Sequence, residues 1–521
     1  MALLMVSTRV VRSAVPVCLV FVLGSLLFYS SRYTSVVAGA GTGTSFFKSI
    51  PVILKPDNKA NDRRPPTTHA PPRYKPTPTW QPPAVTDPFP LLAHSAATPP
   101  PIPEYNVPRP EMHKEYGLDR PPPLFIGFTR NWPILLQAVV SYVTSGWPAD
   151  SIYVVENTGV HNKNKEGKLS LQNPFYLNHT TLQRLGVNVV QTPVLLTFAQ
   201  MQNFFLSKAY ERDDPYYFYS HQDVLVFSFE EGLDFIKRPV DAEWFFYDEA
   251  ERQDIMAPVQ AGKPGYRTLY ENCLRDLQTA TKKKERWGFR WYQYDHLTLV
   301  NREAMESVGG WDSLIPYYAT DCDMNGKMGM DGWTKRNRRV GIFNDVSTVL
   351  ENLEVLYRSR HLRPKFVDPA PLPPEKEAEI ASKASKEAEE KAKATATPVP
   401  QRRADNDEKM PDDPIEYFRI LRAVGDDMGQ WKYRDGAEQR NNWQRSQRGG
   451  QGEPFYYDAE GFSKAFWRLT DAGRDIYSEK WGHRGCDLDD GTALRLEDQW
   501  RVEKDWEKPK EQDNKEKKKG G

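Results

Sequence analysis

Asp214–Phe229 reads DPYYFYSHQDVLVFSF. Four consecutive aromatics, Tyr216 to Tyr219, run into Ser220, His221, Gln222 and Asp223, and an apolar run follows. The pattern predicts a buried strand over Tyr216–Tyr219 that delivers His221 and Asp223 at its C-terminal end. In open α/β sheets ligands bind outside the C-terminal ends of the strands, so this stretch has the polarity of a site.

Working outward, the segments on the N-terminal side alternate in type. LFIGF (Leu124–Phe128) is a short apolar run, as a buried strand requires, and it ends in Thr129, Arg130 and Asn131. Pro133 suits the first turn of a helix, and Ile134–Thr144 supplies its apolar positions. SIYVVENTG (Ser151–Gly159) and VNVVQTP (Val187–Pro193) read as further strands, and Phe198–Glu211 reads as a helix. Strand, helix and strand in succession make a βαβ unit, which requires a parallel crossover. The expected class is therefore α/β with a mostly parallel central sheet. On the C-terminal side, Leu297–Val300 reads as a strand, Arg302–Val308 as a helix and Val340–Asp345 as a last short strand. Between these lie the turn Gly309-Gly310 and the acids Asp321 and Asp323, which follow an aromatic run. The stretch from Asp241 to Arg290 is mixed, with an element expected near Trp244–Tyr247.

Composition narrows the function classes. The 70 basic and 70 acidic residues balance, which removes the counterion-release argument for a nucleic-acid partner. The basic runs Lys282–Arg286 and Lys335–Arg339, and the Lys-rich tail after Asp505, read as solvated charge. The four cysteines show no CxxC spacing, which argues against zinc. One disulfide among Cys273, Cys322 and Cys486 is compatible with the sequence, with its pairing open. Ala14–Tyr29 is apolar and uncharged between Arg12 and Arg32. It predicts a single membrane anchor with a cytosolic N-terminus, in preference to a cleaved signal peptide ending at Ala38-Gly39-Ala40. Asn178-His179-Thr180 is a glycosylation sequon. Half of the 42 prolines fall between Pro51 and Pro123, which reads as a semi-rigid spacer. The expected division is a tail (1–12), an anchor (13–30), a Pro-rich stem (31–123) and an α/β domain (124–362). A low-complexity linker (363–413), an aromatic-rich extension folding back on that domain (414–506) and a charged tail (507–521) follow.

Two acidic sites about a hundred residues apart can divide the work of group transfer. A metal held by one carboxylate can neutralise a diphosphate, and a second carboxylate can take a proton from an attacking hydroxyl. Asp223 with His221 suits the first role, and Asp321 with Asp323 suits the second. Taken singly, each acid serves more often as a turn or helix cap. Trp311, Tyr317 and Tyr318 can stack on a sugar or fill a core.

Leu124–Asn344 resembles glycosyltransferases of the GT-A fold, nearest to family 2 and related type II Golgi membrane enzymes. The resemblance rests on the order of three motifs. His221-Gln222-Asp223 stands at the DxD position, with histidine replacing the first acid. Gly309-Gly310-Trp311-Asp312 matches the GG-aromatic-D turn, and Thr320-Asp321-Cys322-Asp323 matches the acid cluster after it, with Thr320 in place of the usual Glu. The resemblance implies Asp321 as the base, with Asp323 as the alternative. It implies a divalent metal, Mn2+ or Mg2+, on Asp223 and His221, with His483 of Trp481-Gly482-His483-Arg484 as a further ligand. The expected donor contacts are Thr129, Arg130, Asn131, Glu156, Asn157 and Gln222, and Trp311, Tyr317 and Tyr318 face the acceptor. The implied activity is hexosyl or N-acetylhexosaminyl transfer from a nucleotide-sugar to a glycan or glycoprotein, in the Golgi lumen. The main alternative is a GT-A-fold glycan-binding protein without chemistry. A dinucleotide oxidoreductase would need GxGxxG where this chain has Gly127-Phe128-Thr129-Arg130-Asn131.

Overall fold

The structure, a computed structural model, describes residues 72–76, 84–93, 97–232, 258–367, four positions between 375 and 382, 410–433, 448–454 and 458–507. Eleven strands are assigned in chain order: β1 Leu124–Phe128, β2 Ile152–Glu156, β3 Asn188–Gln191, β4 Tyr216–Ser220, β5 Val224–Phe227, β6 Trp287–Tyr292, β7 Leu297–Asn301, β8 Thr334–Arg338, β9 Ile342–Asp345, β10 Val349–Leu350 and β11 Phe366–Val367. The principal helices are α1 Trp132–Thr144, α2 Phe198–Glu211, α3 Leu269–Lys282, α4 Arg302–Ser307, α5 Thr320–Met330, α6 Pro414–Tyr433 and α7 Ala459–Trp481.

Seven strands form the central sheet in the order β3-β2-β1-β4-β7-β6-β8. β7 pairs antiparallel with both of its neighbours and the remaining pairs are parallel, so β7 alone runs against the others. The α/β class with a mostly parallel sheet follows from this order. Register centres on β1, where Leu124 lies opposite Ile152 on one side and Phe218 on the other. Alternate side chains feed two cores. Leu124, Ile126 and Phe218 pack with Leu135 and Val139 of α1 and Leu274 of α3. Phe125, Tyr217 and Tyr219 pack on the other face with Phe205 of α2, Met305 of α4 and Met324 of α5. Helices cover both faces, and the inner strands β1 and β4 are accordingly buried on both.

Local chemistry sets the element ends. Asn131 adopts φ 74°, which asparagine tolerates better than most residues, and its Oδ1 accepts from the Ile134 amide at 3.5 Å. Pro133 occupies the first turn of α1. At α2, Thr197 and Gln200 form a capping box.

β5 and β9 form a separate antiparallel pair, with Val224 opposite Asp345 and Phe227 opposite Ile342. α6 lies on this pair, where Phe418 meets Phe227 edge-on at 5.6 Å. A Cβ at Gly425 would stand 2.9 Å from the Phe227 ring, so the glycine permits the close approach. Gly425, Gly429 and Lys432 recur at four- and three-residue spacing and so share one helix face.

Several expectations change. The spacer expected over 31–123 gives way to packed chain in its C-terminal part: Phe89, Leu92 and Met112 are buried in the core. Buried Asn106 donates to Glu230 at 2.8 Å. Lys335–Arg339, read as solvated charge, overlaps β8 at the sheet edge, where Arg338 is buried and Arg336 pairs with Glu285 at 2.8 Å. Charged side chains are a common means of blunting an edge strand. α3, β6 and β8 had no counterpart in the sequence reading. The element expected near Trp244–Tyr247 and the anchor expected over 13–30 lie outside the described residues. Among the described residues no helix is long and apolar enough to cross a membrane. The expected single-pass Golgi location is corrected on that finding.

Candidate functional site

The C-terminal ends of β1, β2 and β4 are tied together by side-chain amides. Gln222 accepts from the Thr129 amide at 3.2 Å and donates to the Arg130 carbonyl at 2.6 Å. Asn157 donates to the Thr129 hydroxyl at 3.3 Å and accepts from the Leu196 amide at 2.7 Å. Glu156 is fully buried and takes hydrogen bonds from Asn164 at 2.9 Å and Gln191 at 3.0 Å, with His179 at 2.8 Å. Burial works against its charge, but these three partners outweigh it and hold the carboxyl below its ordinary range. Arg130 is buried with its guanidinium 4.3 Å from the Phe462 ring of α7, and burial lowers it to about 10. Of the six expected donor contacts, Thr129 alone is half-buried and the others are buried. In this conformation they brace the strand ends.

Asp223 follows β4, as the sequence indicates, and its neighbours change its meaning. Lys432 of α6 stands 2.8 Å from Asp223 and also pairs with Asp345. Asp345 accepts a further hydrogen bond from Tyr433. His221 lies 3.2 Å from Asp295 and 4.0 Å from Asp223. Burial opposes the charge on His221, but Asp295, Asp223 and Asp345 outweigh it and push the imidazole up to about 9. Burial disfavours charge on His296 and lowers it. Lys432 loses hydration on burial, and the two carboxylates more than compensate, raising it.

These residues do not fit a divalent ion as they lie. Asp295, Asp223 and Asp345 draw His221 toward its protonated form, and the nitrogens of an imidazolium are both donors and offer no lone pair. One oxygen each of Asp223 and Asp345 is engaged by an ammonium, and the other oxygen of Asp345 accepts from Tyr433. His483, expected as a further ligand, pairs instead with Asp487 at 2.8 Å and with Asp505. Among the described residues no group of three or more His, Cys, Asp or Glu is placed to hold a metal ion.

The second acidic motif divides in two. Thr320 opens α5, so Asp321 and Asp323 sit in its first turn and point differently. Asp321 is half-buried and accepts from the Tyr294 hydroxyl at 2.9 Å. Asp323 is fully buried, 2.6 Å from Lys480, 3.4 Å from Lys327 and 2.9 Å from the Trp481 indole nitrogen. Its surroundings make it a structural anchor for α7. Cys322, between the two, is joined to Cys486 by a disulfide, and Cys273 is free and buried.

Asp321 faces a cavity of about 230 Å³. Phe198, Trp291, Trp311, Tyr317, Tyr318 and Phe466 are among its aromatic walls, and His221, Asp295 and Asn325 are among its polar lining. Phe466 comes from α7, its ring 4.6 Å from that of Tyr317. The fold therefore brings Asp321, Trp311, Tyr317, Tyr318 and His221 to one pocket. Asn178 lies elsewhere, half-buried, capping the short helix His179–Arg184 through the Thr181 amide at 3.0 Å.

Sequence reasoning missed Lys432, Asp345, Asp295, Tyr294 and Phe466. Asp345 and Asp295 carried weak signals, since each ends or follows an apolar or aromatic run. Lys432 and Phe466 carried none, because tertiary docking of the C-terminal helices places them.

No protein-family model matches the chain, and no curated protein matches it. Among solved structures it is similar to the mannosyltransferase PcManGT from Pyrobaculum calidifontis in complex with GDP-Man and Mn2+. That similarity has a TM-score of 0.22 at 12% identity and covers 44% of this chain and 60% of the other, less than two thirds of its length. A likeness of that size carries no weight for function, which rests on the pocket and its charges.

Proposed function

We propose that this chain is a glycosyltransferase that moves a sugar from a nucleotide-sugar to a hydroxyl of a glycan or glycoprotein. The observation that carries the reading is the pocket at the C-terminal edge of the sheet, where Asp321 lies among aromatic faces. Aromatic rings offer flat apolar surfaces to the C–H face of a pyranose. Asp321, held by Tyr294 through one oxygen, keeps its other oxygen for an acceptor hydroxyl. As that hydroxyl oxygen bonds to the anomeric carbon, its proton passes to Asp321 and the bond to the nucleotide diphosphate breaks. His221, whose protonated form Asp295 and Asp223 favour against the cost of burial, lies in the same pocket and favours negative charge there.

The second reading is a glycan-binding protein without chemistry, and the ammonium of Lys432 on Asp223 favours it. Incubation of the purified protein with a panel of labelled nucleotide-sugars and glycan acceptors separates the two. The transferase reading expects product from at least one donor, and a fall of about 10²- to 10⁴-fold in Asp321→Asn, the usual worth of a positioned general base. Glycan binding with neither transfer nor hydrolysis from any donor would establish the second reading.

A further inference from the structure

Lys432 is delivered to the acidic pair by a docked helix. α6 is clamped to the body of the protein by Arg419 and Arg422, 3.0 Å and 2.7 Å from buried Glu231. Phe418 packs against Phe227, and the glycine at 425 brings the helix close. The Lys432 side chain is 6% exposed, and Asp223 and Asp345 are 13% exposed. The ammonium lies between two carboxylates that come from different elements, the turn after β4 and the end of β9. A divalent ion bound by the same oxygens would stand about 2.0–2.6 Å from them, in the space the ammonium fills. The two cations therefore exclude one another. Removing either carboxylate would leave part of the ammonium's charge uncompensated in a buried place.

We infer that Lys432 is a tethered cation occupying the metal position of the Asp223–Asp345 pair, so that the site works without a divalent ion. The inference rests on the transferase reading only for what the cation serves: the charge that a metal would offer a nucleotide diphosphate is fixed in the chain. No bond to the lysine forms or breaks, and its proton stays on the nitrogen.

Retention of Mn2+ by the full chain, followed by the electron paramagnetic resonance of the free ion, tests the inference. Wild-type protein is expected to retain no Mn2+ at the micromolar level. Lys432→Met keeps the stem length and removes the charge. It is expected to gain one Mn2+ site at least tenfold tighter than any in the wild type, and the double variant with Asp223→Asn is expected to lose it. A micromolar Mn2+ site in the wild type that Asp223→Asn abolishes overturns the inference, and that arm needs no lysine variant. A folded Lys432→Met protein that gains no site overturns it too. Calorimetric titration of UDP and GDP, with chelator or with Mn2+, supplies a second arm. Equal affinity in both conditions is the expected result, and a tenfold or larger gain with Mn2+ contradicts the inference. Failure of both nucleotides to bind under either condition would count against the transferase reading, while the Mn2+ result would still decide the role of Lys432.

Discussion

Asp223 and Asp321 follow similar stretches of sequence, each an acid just after an aromatic run, and the C-terminal segment treats them in opposite ways. α6 closes the first with a cation: Lys432 lies on Asp223 and Asp345. α7 leaves the second facing a cavity, where Phe466 forms one wall. The same contrast recurs over two residues of α5. Asp321 faces the pocket, whereas Asp323 is buried against Lys480 and Lys327. An acid that the protein uses for its own cohesion has its charge answered by nearby lysines. An acid available to a ligand is held by one neutral hydroxyl and otherwise left open.

The sharpest way to break this contrast is to remove each acid of α5 in turn. Asp323→Ala takes from buried Lys327 its nearest carboxylate and leaves Lys480 with Asp312 alone, 2.7 Å away, and breaking a buried pair in this way costs about 3–5 kcal/mol. Burial already lowers Lys327, and Asp323 offsets part of that. Asp321→Ala, whose hydrogen-bond partner Tyr294 is 48% exposed, should cost no more than about 1 kcal/mol. Denaturant titrations of the two variants measure both quantities. Equal destabilisation would dissolve the distinction between the two acids.

A second test is electrostatic and concerns the closed site. His221 is pushed up to about 9 by Asp295, Asp223 and Asp345 against the cost of burial, from an ordinary value near 6.5. A raised value means that the charged form is favoured by folding. Its contribution is complete below about pH 6.5 and is lost as the pH rises through about 9, and it amounts to on the order of 3 kcal/mol. Asp295 changes with the opposite sign. Burial raises it, His221 lowers it more, and its contribution is lost on acidification. The groups facing His221 are Asp295, Asp223, Asp345 and His296, with the Phe198 ring edge-on. The stability gap between wild type and His221→Gln should narrow steadily from pH 6 to pH 10. A gap independent of pH would show that folding leaves the titration of His221 unshifted.

How far the sequence reveals this arrangement depends on what places each residue. β1, β2, β4 and α1 were legible because periodicity and Pro133 act locally. So was the polarity of the site, since a strand that ends in polar residues fixes which edge they occupy. β8 was not legible: TKRNR carries no apolar alternation, and its place at the edge comes from pairing with β6. α5 was missed because its first turn is acidic and glycines interrupt it, so that Asp321 and Asp323 looked alike. A helix separates neighbours two apart onto different faces, which is why one became a ligand-facing acid and the other a buried one. Lys432 lies about two hundred residues from Asp223 in sequence, and no local pattern announces that two helices beyond a low-complexity linker complete both sites.

The smallest expected effect concerns the open site and asks whether α7 belongs to it functionally. Phe466 touches Tyr317, meets Tyr318 edge-on and lines the cavity beside Asp321. Trp467, its neighbour, stacks on Tyr318 from the outer side with rings 6.5 Å apart and is 40% exposed. An aromatic pair contributes about 0.5–1.5 kcal/mol beyond the area it buries. Removing Phe466 also takes away the ring that packs, tilted, against Tyr317. Phe466→Ala should therefore raise the KM for a glycan acceptor about two- to tenfold, with kcat little changed, because Asp321 and Tyr294 keep their places. Trp467→Ala, which alters the outer side of Tyr318 and not the cavity lining, should change KM less. Equal effects of the two substitutions would mean that α7 acts on the pocket only through the general packing of the 317–318 turn. A larger effect at Phe466, confined to KM, would establish the helix as a wall of the acceptor site, the open counterpart of the closure that Lys432 makes at Asp223.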